Sequence, residues 1–317
     1  MINPVNITMS FKKLLPSLFV LILLITGCQN STAPSAADSE ETGPDNRPNV
    51  IFILSDDHRY DFMGFTGKVP FLETPGMDKM AREGVHFVNA FVTTSLCSPS
   101  RASILTGKFS HRHEVIDNQS PVPEGTEFFP QYLQEAGYQT SFFGKWHMGE
   151  SSSKPRPGFD HWVSFRGQGT YYKPLLNING EEKQYADDVY ISDLLTEHSI
   201  DFMNERDKEK PFFMYLSHKG VHAEFLPAKR HEGIYADEDP AYPPSMFPPD
   251  PADSAVYNYR DTPDWVKTQR YSWHGVDYMY HGQIPFDEFY IRYTETLLGV
   301  DESIQSVLNY LEENNLL

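Results

Sequence analysis

The chain has 317 residues, 39% hydrophobic, 22% charged and 14% aromatic, a globular composition that excludes wholesale disorder and fibrous repeats. With 26 Lys and Arg against 44 Asp and Glu, the net charge of -18 argues against a nucleic-acid partner held by bulk charge. Two cysteines, Cys28 and Cys97, are too few for a disulfide-stapled scaffold or a zinc site built mainly from thiolates.

Residues 1–27 have the pattern of a secretory signal. Lys12 and Lys13 precede an apolar run over 14–25, broken only by Pro16 and Ser17 and too short to span a bilayer. The run ends in Ile25-Thr26-Gly27-Cys28, which resembles a bacterial lipoprotein box. Cys28 is therefore the expected lipidation site, and the protein is expected to be exported and lipid-anchored in the cell envelope, on its periplasmic or surface face. An ordinary signal peptide with a chance cysteine is the alternative. Residues 28–47, rich in Ser, Ala, Asp, Glu and Pro, read as a flexible tether. Loss of the signal removes two lysines and no carboxylates, so the mature chain is still more acidic. Any anion site on it must be locally cationic or metal-loaded.

Residues 49–54 (NVIFIL) form a short continuous apolar run, the pattern of a strand buried on both faces of a parallel sheet. Thr74-Pro75 opens a helix that Gly84 closes. Residues 85–92, β-branched and aromatic, predict a strand. Residues 128–136 predict a helix closed by Gly137, and 138–143 the next strand. Residues 190–204 are amphipathic, and 211–216 (PFFMYL) are again an apolar strand. Alternation of strand and helix gives an α/β domain with a largely parallel sheet. From 223 to 285 the texture turns to Pro, Tyr, Asp and Trp, which predicts a long surface excursion. Phe286, Phe289, Tyr293, Leu297, Val300, Ile304, Val307, Leu308 and Leu311 then mark one stripe of a long helix.

Cys97 opens the string CSPSRASILTG. Taken alone, it reads as a nucleophilic thiol activated by a helix N-terminus and Arg101, or as a buried structural cysteine. Asp56 and Asp57 fall just past the 49–54 strand, the usual ligand side of an open α/β sheet, where adjacent carboxylates suit a hard divalent cation; a solvated acidic turn is the plainer alternative. Lys145 and His147 lie in GKWHMG, and His222 follows the 211–216 strand; each has a bland reading as a surface or loop residue.

The string at Cys97 resembles the signature of the type I, formylglycine-dependent sulfatases. The likeness continues through residues 47–59, 74–101, 144–149 and 211–225 in that family's order, from about Pro48 to the C-terminus. It implies an alkaline-phosphatase-like α/β sandwich, with a largely parallel central sheet flanked by helices. It implies hydrolysis of sulfate esters, with calcium held by Asp56, Asp57 and the modified Cys97. In the family that cysteine becomes formylglycine, whose hydrate attacks sulfur through one hydroxyl and expels sulfate through the other. By the same resemblance Arg101 holds the formylglycine, Lys145 clamps a sulfate oxygen, and His147 assists deprotonation. His222 binds sulfate or protonates the leaving alcohol, although Lys219-Gly220-Val221 departs from the frequent Lys-Ala-Pro. A formylglycine-generating or anaerobic maturating enzyme is an implied partner, as is a sulfated carbohydrate substrate.

Residues 158–172 (GFDHWVSFRGQGTYY) resemble a segment of glycan sulfatases of the N-acetylglucosamine-6-sulfatase type. His58 is a candidate to line the pocket. His111 and His113 are read as structural, with His113 a candidate to support a ligand from behind. His274 and His281, among Trp273, Tyr278 and Tyr280, are read as packing the excursion onto the core, with a sugar-stacking wall as the alternative.

The family pattern has a further strand with the remaining metal ligands, a second lysine and a small C-terminal subdomain, none of which is found before Leu317. The expectation is therefore an incomplete catalytic domain over 48–317, with an exposed helix stripe, an unpaired sheet edge and little activity by itself. A formylglycine-dependent phosphonate or phosphodiester hydrolase, a non-catalytic lipoprotein that binds sulfated glycan, and an enzyme using unmodified Cys97 are the rival readings.

Overall fold

The six residues of the PFFMYL strand are all buried, and this run lies deep in the sheet because both of its faces must be covered. The structure, a computed structural model, describes residues 47–149, 152–241, 263–268 and 285–317. The signal, Cys28, all of the tether but Arg47, and the group around His274 and His281 lie outside the described residues. The strands are β1 (Val50–Leu54), β2 (Gln139–Lys145), β3 (His161–Phe165), β4 (Leu175–Ile178), β5 (Glu181–Gln184) and β6 (Phe212–Ser217). They form one sheet in the order β1-β6-β2-β3-β4-β5. The first four in that order are parallel, with Phe213 of β6 opposite Val50 of β1 and Thr140 of β2. β4 and β5 continue it antiparallel. Sequence periodicity missed this last hairpin, although Asn179-Gly180 marks it. Both residues have positive φ, the conformation a two-residue hairpin turn requires.

The helices are α1 (Pro75–Glu83), α2 (Cys97–Thr106), α3 (Ser110–His113), α4 (Phe129–Glu135), α5 (Ile191–Glu205), α6 (Asp264–Thr268) and α7 (Phe286–Glu313). Strand alternation divides the core. Phe212, Met214 and Leu216 join α5 and the end of α7 through Leu194, Leu195, Val307 and Leu311. Phe213 and Tyr215 turn to the other face, with Phe142, Trp146, Trp162 and Ala102 and Leu105 of α2. Helices thus cover both faces of the parallel strands.

Two expectations change. Residues 85–92 form no strand; Phe87 is 77% and Phe91 88% exposed, with Val85, Val88 and Val92 also exposed. Strand propensity takes effect only through pairing, and no described strand pairs with these residues. The stripe on α7, expected to be exposed, is buried. Tyr290, Tyr293, Leu297, Val300 and Ile304 pack with Met77, Phe62 and Leu72. The edge expectation fits β1, which pairs only with β6 among the described strands. The start of the excursion is also less loose than its composition suggests. Phe225, Ala228 and Tyr235 are buried, and Arg230 grips Asp193 of α5 and Glu302 of α7.

A buried carboxylate joins α1 to α7. Asp301 accepts hydrogen bonds from the amides of Gly76 (2.9 Å) and Met77 (2.8 Å) at the start of α1. Gly76 permits this approach, since a Cβ there would lie 2.7 Å from the Asp301 carbonyl oxygen. Asp301→Ala leaves those helix-end amides unsatisfied and is expected to cost about 2 kcal/mol in urea unfolding. Replacing Phe87 and Phe91 by Glu is expected to lower self-association of the chain, read by light scattering, with little change in melting temperature.

Candidate active site

β1, β6 and β2 run parallel, so their C-terminal ends reach the same edge of the sheet, and each delivers a charged or polar residue there. Asp56 follows β1, Lys145 closes β2 and Ser217 closes β6. Gly144 makes the delivery of Lys145 possible. Its φ is 109°, and a Cβ would stand 1.8 Å from the Ser217 carbonyl oxygen. Backbone bonds fix the loop after β1 to the loop after β6: Asp56 N–H donates to Gly220 O (2.8 Å) and Val221 N–H to Asp56 O (2.7 Å).

Above this edge lies a cleft of about 610 Å³, lined by Asp56, Asp57, His58, Cys97, Arg101 and His222 among others. Cys97 is the first residue of α2 and lies on the cleft wall. The buried side chain of Asn118 accepts the Ser98 amide (3.0 Å) and so satisfies one of the free donors at that helix end. Nothing in the local pattern around Asn118 signals this role, because the bond spans twenty residues.

Asp56 is buried between two cations. Lys145 Nζ donates to Asp56 Oδ2, and Arg101 Nη2 to Oδ1 at 3.3 Å. Arg101 also bonds Ser217 Oγ (2.6 Å) and the Lys145 carbonyl, so one guanidinium ties three elements together. Burial by itself would raise the Asp56 pKa, but Arg101 and Lys145 outweigh it and hold the carboxyl at about 2. Lys145 Nζ lies 3.7 Å from Cys97 Sγ. Burial pushes the Cys97 thiol up, with Lys145 opposing and the two aspartates adding to the rise. Burial thus opposes thiolate formation at the unmodified Cys97.

The side chain of Asp57 is about half exposed (52%), and its Oδ2 lies 3.6 Å from His222 Nε2. Its backbone is held by Tyr293 of α7, whose hydroxyl donates to the Asp57 carbonyl (2.7 Å). Ligand atoms of Asp56, Cys97 and His222 lie within 4.8 Å of one another. That set offers three positions to a divalent cation, with Asp57 beside it. The carboxylates are the hard oxygens that calcium or magnesium prefers, while the described residues do not supply calcium's full complement of oxygens.

Of the residues singled out from sequence, Asp56 pairs with Arg101 and Lys145, Lys145 approaches Cys97, His222 lies beside them and Asp57 is the more exposed neighbour. His147 is buried, its carbonyl accepts the Ser98 hydroxyl, and like Lys145 it stands behind the residues that line the cleft. His58 does line the cleft, with Nδ1 3.1 Å from Ser55 Oγ and Nε2 2.7 Å from Phe62 O. His113 Nδ1 accepts the Val115 amide (3.1 Å), so Nε2–H turns to Ser103 Oγ (3.0 Å), a structural arrangement. His218, which the sequence reading passed over, is fully buried, and burial holds its pKa at about 4.

The family model for sulfatases matches residues 48–317. The chain belongs to the sulfatase family. It is 39% identical over 241 residues to the N-acetylglucosamine-6-O-sulfatase of Bacteroides thetaiotaomicron, covering 75% of this chain and 41% of that relative. Among solved structures it superimposes on BT4656 in complex with its substrate D-glucosamine-2-N,6-O-disulfate. The TM-score is 0.67 at 33% identity, over 84% of this chain and 62% of the other. The phosphonate monoester hydrolase of Agrobacterium radiobacter has a TM-score of 0.58 at 20% identity, over 85% of this chain and 60% of that one, a likeness of fold alone. The chain spans about half or less of the length of the first curated relatives it matches. The fold is the alkaline-phosphatase-like one of these sulfatases, with a mixed, mostly parallel sheet flanked by helices.

The site carries a direct test. Asp56 gains stability from a folded-state pKa depressed from 3.8 to about 2. That stabilisation is present above about pH 4 and is lost as pH falls through about 2, on the order of 2 kcal/mol in total. In chelator, urea unfolding is expected to show this acid loss. Asp56→Asn is expected to remove it and to cost about 3–5 kcal/mol at neutral pH, because Lys145 and Arg101 are then buried without a counter-charge.

Proposed function

We propose that the protein hydrolyses sulfate esters on sulfated glycans, with Cys97 as the precursor of formylglycine. The observation that carries the reading is the placement of Cys97 at the start of α2, with Lys145 Nζ at 3.7 Å and the Asp56–Arg101 pair beneath it. An acidic chain needs a local concentration of positive charge to receive an anion, and this is where the cations gather.

Water and the ester R–O–SO₃⁻ give the alcohol, sulfate and one proton. As formylglycine, hydrated to a geminal diol, the residue supplies one oxygen that attacks sulfur and carries the sulfate, and a second hydroxyl whose loss of a proton expels that sulfate and restores the aldehyde. The positive N-terminal end of α2 and the ammonium of Lys145 stabilise negative charge developing on sulfate oxygens. Arg101 keeps Asp56 and Lys145 in register with that position. His222, at the open side of the cleft, handles the proton of the leaving alcohol. A divalent cation, calcium in this reading, would be held by Asp56, Asp57 and the modified Cys97 and would polarise the ester.

The substrate class follows from the relatives: a 6-sulfated glucosamine carrying an N-acetyl or N-sulfo group, presented by a larger glycan. A maturation enzyme that oxidises the Cys97 side chain is the required partner. The signal-like segment before Cys28 supports export, with Cys28 as the lipid anchor that keeps the enzyme at the cell envelope. Among the described residues no helix is long and apolar enough to cross a membrane.

The test uses protein expressed from its complete reading frame in a host with the maturation enzyme. Ion chromatography is expected to show sulfate released from N-acetylglucosamine 6-sulfate and no turnover of a matched phosphonate ester. Cys97→Ala is expected to lower the rate at least about a thousandfold. Mass spectrometry of the peptide over 95–101 is expected to find the lighter aldehyde. Preferred cleavage of the phosphonate ester overturns the reaction assignment. A wholly unmodified thiol in active protein overturns the role of Cys97.

A further inference from the structure

The stretch 158–172 resembles a glycan-sulfatase segment, yet its last two residues, Tyr171 and Tyr172, do not line the cleft. Tyr171 is buried, and its hydroxyl donates to the carbonyl oxygen of His222 (2.6 Å). Its own carbonyl accepts the Ile191 amide at the start of α5 (2.8 Å), and its ring stacks on Tyr190. Tyr171 is thus rooted in the helical layer and reaches through to the loop that carries His222.

Lys219 completes the arrangement. It is buried, its Nζ lies 4.7 Å from the centre of the Tyr171 ring, and it donates to the Ala223 carbonyl at 3.1 Å. The same Ala223 oxygen lies 2.8 Å from His222 Nδ1. A carbonyl only accepts, so His222 Nδ1 must carry a proton to make that bond, and neutral imidazole then has a bare Nε2. Nε2 is the nitrogen that faces Asp57. Two consecutive carbonyls, of His222 and Ala223, are therefore held by two buried donors, and the second fixes which imidazole nitrogen keeps its proton.

We infer that Tyr171 and Lys219 are positioning residues that hold His222 in its Nδ1–H tautomer, with a bare Nε2 turned toward the cleft. In that state His222 meets the cleft as an acceptor, for a hydroxyl proton or a cation, and becomes an acid only after taking up a proton. The burial of Lys219 supports this role. Its ammonium lies over the Tyr171 ring and donates to Ala223, inside the protein and away from the cleft lining. The assignment rests on the reading that His222 serves the sulfatase site, and it gives part of the 158–172 segment a task other than substrate contact.

The readout is the tautomer itself, independent of turnover. Long-range ¹H–¹⁵N correlation spectra of the histidine rings, with His222 assigned by His222→Gln, are expected to show Nδ1 protonated and Nε2 bare in the unmodified chain. Tyr171→Phe keeps the ring and deletes one hydroxyl; Lys219→Met keeps the stem and deletes the donor. Each is expected to lose the single-tautomer pattern, with the two nitrogen resonances averaged between tautomers, while circular dichroism stays unchanged. An Nε2–H tautomer in the unmodified chain overturns the inference. Unchanged His222 resonances in either folded variant remove that residue from the frame. If Lys219→Met does not fold, Tyr171→Phe decides. Sulfate release plays no part in this experiment, so failure of the sulfatase reading registers separately.

Discussion

The arrangement depends on one buried cluster of charge. Asp56 lies out of water between Arg101 and Lys145, and none of the three tolerates the interior alone. Each comes from a different part of the chain: the loop after β1, the first turns of α2 and the end of β2. Their pairing forces those elements into one place. The same pairing sets a buried ammonium 3.7 Å from Cys97 on the wall of the cleft.

The sheet makes this affordable. Parallel strands put their C-terminal ends on one edge, so residues that follow three separate strands emerge together. The two apolar faces of β6 are covered by helices, which hold the edge rigid. The absence of a side chain at Gly144 lets β2 lie close enough to β6 for Ser217 Oγ to bridge to the Lys145 carbonyl (2.8 Å). A helix that begins at Cys97 then brings its N-terminal end to the same cleft. Chemistry and folding share these atoms, so much of the site's geometry is fixed before any ligand arrives.

The far side of the cleft is built differently. His222 sits in a loop, and its orientation comes from carbonyls held by Tyr171 and Lys219 instead of from a salt bridge. Asp57 is fixed through its backbone by Tyr293 of α7, more than two hundred residues away in sequence. The long amphipathic helix therefore has a second task beyond covering the core: it sets the position of one of the two adjacent carboxylates.

β1, β2 and β6, the helix that begins at Pro75, and the long stripe ending at Leu311 were legible because each is a local pattern of period, cap and breaker, whereas β3 went unread within 158–172. The residues gathered at Cys97 were legible because their neighbours form recognisable strings. The strand expected at 85–92 did not form because β-branched and aromatic composition gives only propensity, while pairing with a neighbour is decided in the fold. Asn118, Ser217, Tyr171 and Asp301 carry no local signal, since their partners lie far along the chain. The sequence by itself determined the family, the α/β class and most of the helices and strands around the sheet. Only the tertiary structure decided which of two adjacent aspartates is buried between cations, which nitrogen of His222 faces the cleft, and that His147 does not line it. Those outcomes follow from desolvation and from hydrogen bonds between distant segments, and neither exists until the chain has folded.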